Sequence, residues 1–88
     1  MAFWNEKKID RVWNNILKHE GEAFYTITKI EYRYVVKDNY ILVNDDPRRR
    51  ITKANLEKAL EIVNPTPSKI NLRGQSYIYG IITDSRIV

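Results

Sequence analysis

The chain has 88 residues, of which 43% are hydrophobic and 30% are charged, with a formal net charge of +4. These totals predict one small globular domain spanning residues 1–88, with a modest core, and argue against intrinsic disorder. Cysteine is absent, which excludes disulfides, thiolate zinc sites and cysteine nucleophiles. No apolar run reaches the ~18 residues of a membrane helix, and charges interrupt the opening MAFWNEKKID. A signal peptide would be apolar there, so we expect a soluble cytoplasmic protein without a membrane partner.

The composition and the charge distribution are both uneven. Twelve Ile stand against five Leu, and residues with AT-rich codons are frequent, which suggests a low-GC bacterium or one of its phages. Residues 1–47 hold seven Lys/Arg and eight Asp/Glu, whereas residues 48–88 hold eight and three. The second part therefore carries +5, which suggests an anionic partner, although an ordinary moderately basic surface would look the same.

An amphipathic helix is predicted from Trp4 to Lys18. Its apolar residues follow the i, i+3, i+4, i+7, i+8 spacing of one helix face, namely Ile9, Val12, Trp13, Ile16 and Leu17. Asn5 is a good N-cap, and Trp4 could pack on Ile9 as a hydrophobic staple. Gly21 suits the left-handed conformation that ends many helices.

Alternating apolar residues then predict a three-stranded antiparallel meander. Its strands are AFYTIT at 23–28, IEYRYVV at 30–36 and YILV at 40–43, with a turn at 37–39 between the last two. In the middle strand the residues expected to face the core are Ile30, Tyr32, Tyr34 and Val36.

A second helix is predicted to begin at Thr52, its N-cap, with Ile51 and Leu56 placed as a hydrophobic staple. Its apolar stripe is Leu56, Ala59, Leu60 and Val63. Asn64-Pro65 should end this helix, and residues 65–68 are expected to form a loop.

Residues 76–84 fit a strand by composition, but Ile78, Ile81 and Ile82 also fit one face of a short helix capped by Ser76, which we favour. The predicted fold class is therefore α+β. It consists of a helix, the meander, a second helix and a short C-terminal helix or strand.

The stretch NDDPRRRIT at 44–52 raises the main site hypothesis. Arg48, Arg49 and Arg50 stand just before the second helix, where the helix dipole disfavours cations by about 0.3–1 kcal/mol each. Asp45 and Asp46 could pair with them in a solvated turn. Alternatively, the guanidinium groups and free helix N–H groups could bind a phosphate, although the glycines of a phosphate-binding loop are missing.

Lys53, Lys69 and Arg73 would extend this basic surface if the Arg73-Gly74 turn folds back beside the second helix. That dipeptide could equally be a simple tight turn. The six tyrosines could offer a stacking surface for unpaired bases. Tyr32 and Tyr34, however, share a face with apolar residues, so we expect them in the core with their hydroxyls at the rim.

Catalysis and metal binding find little support. His19 with Glu20 and Glu22 is a poor ligand set, since the chain has no second histidine. Ser68, Ser76 and Ser85 have no nucleophile motif around them. We therefore predict no enzyme activity, no metal and no cofactor.

The sequence thus predicts a non-enzymatic basic module of low sequence specificity that contacts nucleic-acid phosphates. The predicted contact residues are Arg48, Arg49, Arg50, Lys53, Lys69 and Arg73. The alternative is a protein-interaction module, such as a small phage-type or bacterial regulator or inhibitor, which could be a homodimer. It would use an exposed sheet edge or the surface near Phe3 and Trp4.

Overall fold

The computed structural model describes residues 8–88, and its helices and strands form the predicted α+β fold. In chain order these are α1 (Lys8–Lys18), β1 (Phe24–Tyr25), β2 (Glu31–Tyr32), β3 (Tyr34–Val36), β4 (Tyr40–Val43), β5 (Arg50–Thr52), α2 (Lys53–Leu60), α3 (Pro67–Ile70) and α4 (Gln75–Ile82). Within residues 8–88, every helix is too short or too polar to cross a bilayer.

The α1 helix packs through the predicted face, with one exception. Ile9, Val12, Trp13 and Ile16 are buried, but Leu17 is 47% exposed because it lies at the edge of this face, one residue from the helix end. Gly21 has φ +86, as expected for a residue that ends a helix in the left-handed conformation. The predicted start at Trp4 and the cap at Asn5 lie outside the described residues.

The three-stranded antiparallel meander exists, but its strands are β3, β4 and β5 in that order. The segment predicted as its first strand forms a separate hairpin, β1 with β2. This hairpin closes early because Thr26 bonds to Ile30 through both its backbone N–H and its side-chain hydroxyl. Ile30, predicted to be buried, therefore lies in the loop and is 61% exposed.

Residues 31–36 run as an extended chain that changes partner at Arg33. Tyr32 pairs with Phe24 in the hairpin, whereas Tyr34 pairs with Val43 in the meander. Arg33 between them donates its backbone N–H to the Asn44 side chain. The predicted inward alternation of Tyr32 and Tyr34 is confirmed, since both are buried.

Both tyrosine hydroxyls lie inside the protein, so the prediction that they reach the rim is wrong. The Tyr32 hydroxyl donates to the Tyr77 carbonyl at 2.8 Å, and the Tyr34 hydroxyl donates to the Ile16 carbonyl at 2.6 Å. Burial raises the pKa of both phenols. Each hydroxyl satisfies a helix carbonyl and so ties the sheets to α4 and α1.

The α2 helix begins as predicted. The Thr52 hydroxyl accepts a hydrogen bond from the Asn55 N–H, and Ile51 and Leu56 are both buried. The helix ends at Leu60, earlier than the stripe suggested, and Val63 is exposed.

Two segments follow α2. Residues 65–68 are not all loop, because Thr66 caps the short α3 helix, whose first residue is Pro67. The final segment is helical, as favoured, with Ile78, Ile81 and Ile82 buried. Its N-cap is Gly74, with φ +81, and Ser76 lies inside the helix.

Gly80 allows α4 to approach the hairpin closely. A Cβ at this position would lie 2.5 Å from both the Tyr25 carbonyl oxygen and the Tyr32 hydroxyl. A backbone oxygen cannot move aside without displacing β1, so only glycine fits there.

We therefore expect Gly80→Ala to destabilise the protein even though alanine favours helices. The helix gain of about 1 kcal/mol is opposed by overpacking of about 1–3 kcal/mol. Urea unfolding would measure the change, with Ser76→Ala as a control because Ser76 is an exposed residue of the same helix. A Gly80→Ala protein more stable than the control variant would contradict this account of the contact.

Candidate functional site

A tight loop presents the three consecutive arginines at the start of β5. Asn44 and Asp45 take left-handed conformations with φ +55 and +56. The Asp46 N–H then donates to the Val43 carbonyl, and the Asp46 carbonyl accepts from the Arg49 N–H. The loop thus returns the chain antiparallel to β4, so the arginines lie along an edge of the meander.

The Arg73-Gly74 turn lies against this edge. A Cβ on Gly74 would meet the Ile51 side chain at 3.4 Å, which shows how closely the turn approaches β5. This contact brings Arg73 to the other three arginines, as the sequence suggested but did not establish. A pocket of about 190 Å³ forms there, lined by Arg48, Arg49, Arg50, Ile51, Arg73, Gly74 and Tyr77, and is called the arginine pocket below.

A second, wider hollow of about 340 Å³ adjoins the arginine pocket. Its lining residues are Pro47, Arg48, Arg50, Thr52 and Arg73. Arg48, Arg50 and Arg73 therefore line both spaces. The floors differ, since Ile51 and the Tyr77 ring line the arginine pocket and Thr52 lines the hollow.

Asp46 partly neutralises the arginines. Its carboxylate lies 3.2 Å from Arg48 Nε and 3.6 Å from Arg49 Nε. The side-chain hydrogen bond from Arg48, followed by the Arg48 backbone N–H, lowers the pKa of Asp46. Asp45, the other expected partner, makes no ion pair with the residues of 8–88. Among these residues Arg50 and Arg73 also lack a carboxylate partner.

Aromatic rings hold two of the guanidinium groups. The Arg49 guanidinium lies 5.5 Å from the centroid of the Tyr77 ring and donates to its hydroxyl. The Arg50 guanidinium lies 4.8 Å from the centroid of the Tyr40 ring. A cation–π contact of this kind orients a guanidinium while leaving most of its five N–H donors available.

The β5 backbone also offers polar groups at this edge. The Val43 N–H donates to the Arg49 carbonyl and the Lys53 N–H donates to the Asn39 carbonyl. In an antiparallel ladder, hydrogen-bonded pairs alternate with pairs that do not bond to each other. Ile41 and Ile51, which lie between the two bonded positions just named, therefore form a hydrogen-bonded pair, whereas Leu42 and Arg50 do not bond to each other. The N–H and C=O of Arg50 therefore point away from β4, toward the open edge.

The start of α2 offers fewer free N–H groups and cations near the arginines than the sequence suggested. The Lys53 N–H donates to Asn39 and the Asn55 N–H donates to the Thr52 hydroxyl, so two of the first three N–H groups already have acceptors. The Lys53 ammonium lies elsewhere, 3.2 Å from Asp10 and over the Trp13 ring. The Lys69 ammonium donates to the Asn64 carbonyl at 3.3 Å. Neither lysine lines the arginine pocket or the hollow.

A second charged cluster, which the sequence did not reveal, surrounds Arg86. Its guanidinium contacts Asp84 at 2.9 Å, Glu22 at 3.0 Å and the Ala23 carbonyl at 2.9 Å. The Arg86 hydrogen bond lowers the pKa of Asp84, and hydrogen bonds from His19 and Arg86 lower the pKa of Glu22. These contacts fasten the C-terminal segment to the start of the hairpin.

Two further findings bear on function. Residues 8–88 contain no group of three or more His, Asp or Glu side chains arranged to hold a metal ion. Comparison with protein-family models, with curated proteins and with solved structures finds no match to this chain.

The pairing of Arg48 with Asp46 can be tested by titration. Arg48→Ala removes the main hydrogen bond to the Asp46 carboxylate, so the pKa of Asp46 should rise toward that of an ordinary aspartate. Because the pKa is lowered in the folded state, the pairing stabilises the fold above the unfolded-state pKa. This stabilisation is lost as the pH falls through the folded-state value.

Side-chain carboxyl NMR signals followed against pH would report the change. Arg50→Ala is the matched control, since Arg50 makes no ion pair with Asp46. Equal effects of the two substitutions on Asp46 would show that general charge, rather than this contact, lowers its pKa.

Proposed function

We propose that this protein is a non-enzymatic binding module that contacts the backbone phosphates of nucleic acid through the four arginines that line the arginine pocket. The observation that carries the proposal is the convergence of Arg73 with Arg48, Arg49 and Arg50 at one sheet edge. Arginines placed together by two separate chain segments make a site with a defined shape, which a run of arginines in a free turn would not.

The chemistry of the four residues supports a phosphate ligand. A guanidinium binds two phosphate oxygens at once through parallel N–H groups. Arg50 and Arg73 have no carboxylate partner among residues 8–88, so their charges are available to an anion. The outward Arg50 N–H adds a backbone donor of the kind that commonly contacts phosphates.

Asp46 is the intramolecular partner with which an external phosphate would compete for Arg48 and Arg49. It holds Arg48 and Arg49 by ion pairs at the protein surface, and such pairs contribute little to stability. A phosphodiester chain can therefore compete for these arginines at low salt. Binding should weaken as salt rises, because salt screens the attraction between the arginines and the phosphates. Such a module would act in the cytoplasm with low sequence specificity, because its contacts are with the backbone.

The first test is binding to labelled single- and double-stranded DNA and RNA at two salt concentrations. The Arg48→Ala/Arg49→Ala/Arg50→Ala protein should bind more weakly than the wild type. Its salt slope should fall by about 2–3, roughly one for each phosphate contact removed. Fluorescence anisotropy would measure both quantities, after circular dichroism has shown that the variant is folded.

The matched control is Lys8→Ala/Arg11→Ala/Lys18→Ala, which removes three exposed cations from α1 and lowers the net charge equally. Its affinity should stay closer to that of the wild type. If both triple variants lose the same affinity, attraction is diffuse and the pocket is not the site. If the wild type binds no nucleic acid at low salt, the proposal is wrong.

A second candidate function is protein interaction, and a specific surface favours it. Tyr25, Ile27 and Ile30 are 50%, 48% and 61% exposed around the closed end of the hairpin, and form the apolar loop. Exposed Lys29 and Glu31 flank it. In a two-fold dimer each lysine could meet the partner's glutamate, which in one chain makes only a 3.4 Å surface pair with Arg33. A second copy of this chain is therefore the partner that the loop suits.

This candidate predicts concentration-dependent dimerisation, measured by analytical ultracentrifugation. Ile27→Ser/Ile30→Ser should shift the protein toward monomer, because the apolar area that would be buried is removed. Val63→Ser is the control, since Val63 is an exposed apolar residue distant from the hairpin in sequence. A wild type that remains monomeric at high concentration would eliminate the dimer.

A further inference from the structure

We infer that the arginine pocket holds one unpaired nucleobase while the adjoining hollow holds a neighbouring phosphate, so that the ligand is single-stranded nucleic acid. This inference rests on the proposed function and specifies its ligand class. It follows from the size of the pocket, the chemistry of its floor and the arginines that it shares with the hollow.

The size of the pocket suits one planar ring system. Its volume of about 190 Å³ lies below the roughly 300–1,000 Å³ of sites for drug-sized ligands. A cavity of about 150 Å³ accommodates benzene. A single base is therefore a closer match than a complete dinucleotide or a cofactor.

The floor of the pocket is apolar and held in place. Ile51 is 1% exposed, and the Tyr77 ring meets the Tyr32 ring edge-on, with centroids 5.0 Å apart. Gly74 adds no side chain to the space. A base would thus meet an aromatic ring and a buried aliphatic side chain, with guanidinium planes at the sides. These are the groups on which unpaired bases stack.

The arginines shared by the pocket and the hollow could contact a base and its neighbouring phosphate at the same time. Arg48, Arg50 and Arg73 line the pocket and the hollow, so they can bind a phosphate in the hollow while flanking a base in the pocket. The lining of the hollow, which includes Thr52, is more polar than that of the arginine pocket. A nucleotide has a similar division into a flat base, whose faces stack on aromatic and aliphatic groups, and a charged phosphate.

A duplex cannot use this arrangement without unpairing a base. Flipping a base from a duplex costs a few kcal/mol, whereas a single strand presents its bases freely. The protein should therefore bind a single strand more tightly than a duplex of the same sequence at equal salt. Purely phosphate-directed binding would instead favour the duplex, whose charge density is higher.

The decisive comparison changes the ligand and leaves the protein intact. One labelled strand has about ten nucleotides, within the span of known single-strand sites. The other has the same number of abasic tetrahydrofuran units, and so the same phosphates without bases. Measured by anisotropy at one low salt concentration, the strand with bases should bind roughly tenfold more tightly, as expected of a base stacked on an aromatic ring.

Two variants locate the base. Tyr77→Phe keeps the ring and should keep the preference for bases, whereas Tyr77→Leu removes the ring and should abolish it. A preference that persists in a folded Tyr77→Leu protein would place the base elsewhere and overturn the inference. If Tyr77→Leu does not fold, the comparison of the two strands on the wild type still decides whether a base contributes to binding, and equal binding of both strands overturns the inference.

The remaining outcomes separate the inference from the function on which it rests. Equal binding of the two strands, sensitive to the triple arginine substitution, would overturn base capture and leave phosphate binding standing. Absence of binding to either strand at low salt would overturn both.

Discussion

The packing of α4 on the tyrosines of the hairpin is the contact on which the arginine pocket depends. Tyr32 donates to the Tyr77 carbonyl and meets the Tyr77 ring edge-on, while Gly80 leaves room for the Tyr32 hydroxyl. These contacts fix the height and rotation of α4. The helix in turn fixes the Arg73-Gly74 turn at its N-terminus, and so brings Arg73 to β5.

The two edge strands of the meander differ in what lies against their outward backbone groups. The β3 edge is covered, since the Gly21 N–H donates to the Tyr34 carbonyl and the Glu20 carboxylate accepts from the Val36 N–H. The β5 edge carries the arginines instead. Charged side chains on an edge strand also discourage pairing with the strands of other molecules. The same residues can therefore keep the edge free of further strands and available to a polyanion.

Local signals predicted α1, α2 and α4, because a helix face depends on neighbouring residues, but they missed the short α3. Thr52, Ile51 and Leu56 are an example of such signals, since the cap and the two packed side chains lie close together in the sequence. The strand β5 was missed because its three residues offer only one buried side chain, Ile51, between Arg50 and Thr52. Arg73 could not be placed from sequence, since only the packing of α4 brings it to β5. The position of the Lys53 ammonium could not be predicted for the same reason, because its partner Asp10 lies on α1.

The position of the pocket couples binding to folding. Arg48, Arg49 and Arg50 belong to the meander, whereas Arg73 and Tyr77 belong to the turn and helix that close the core. A ligand that contacts both groups binds only when they are assembled, so it stabilises the folded state by RT ln(1 + [L]/Kd). In a domain this small the core alone supplies roughly 3–5 kcal/mol. A polyanion bridging the two segments would therefore be a substantial addition to the stability of the fold.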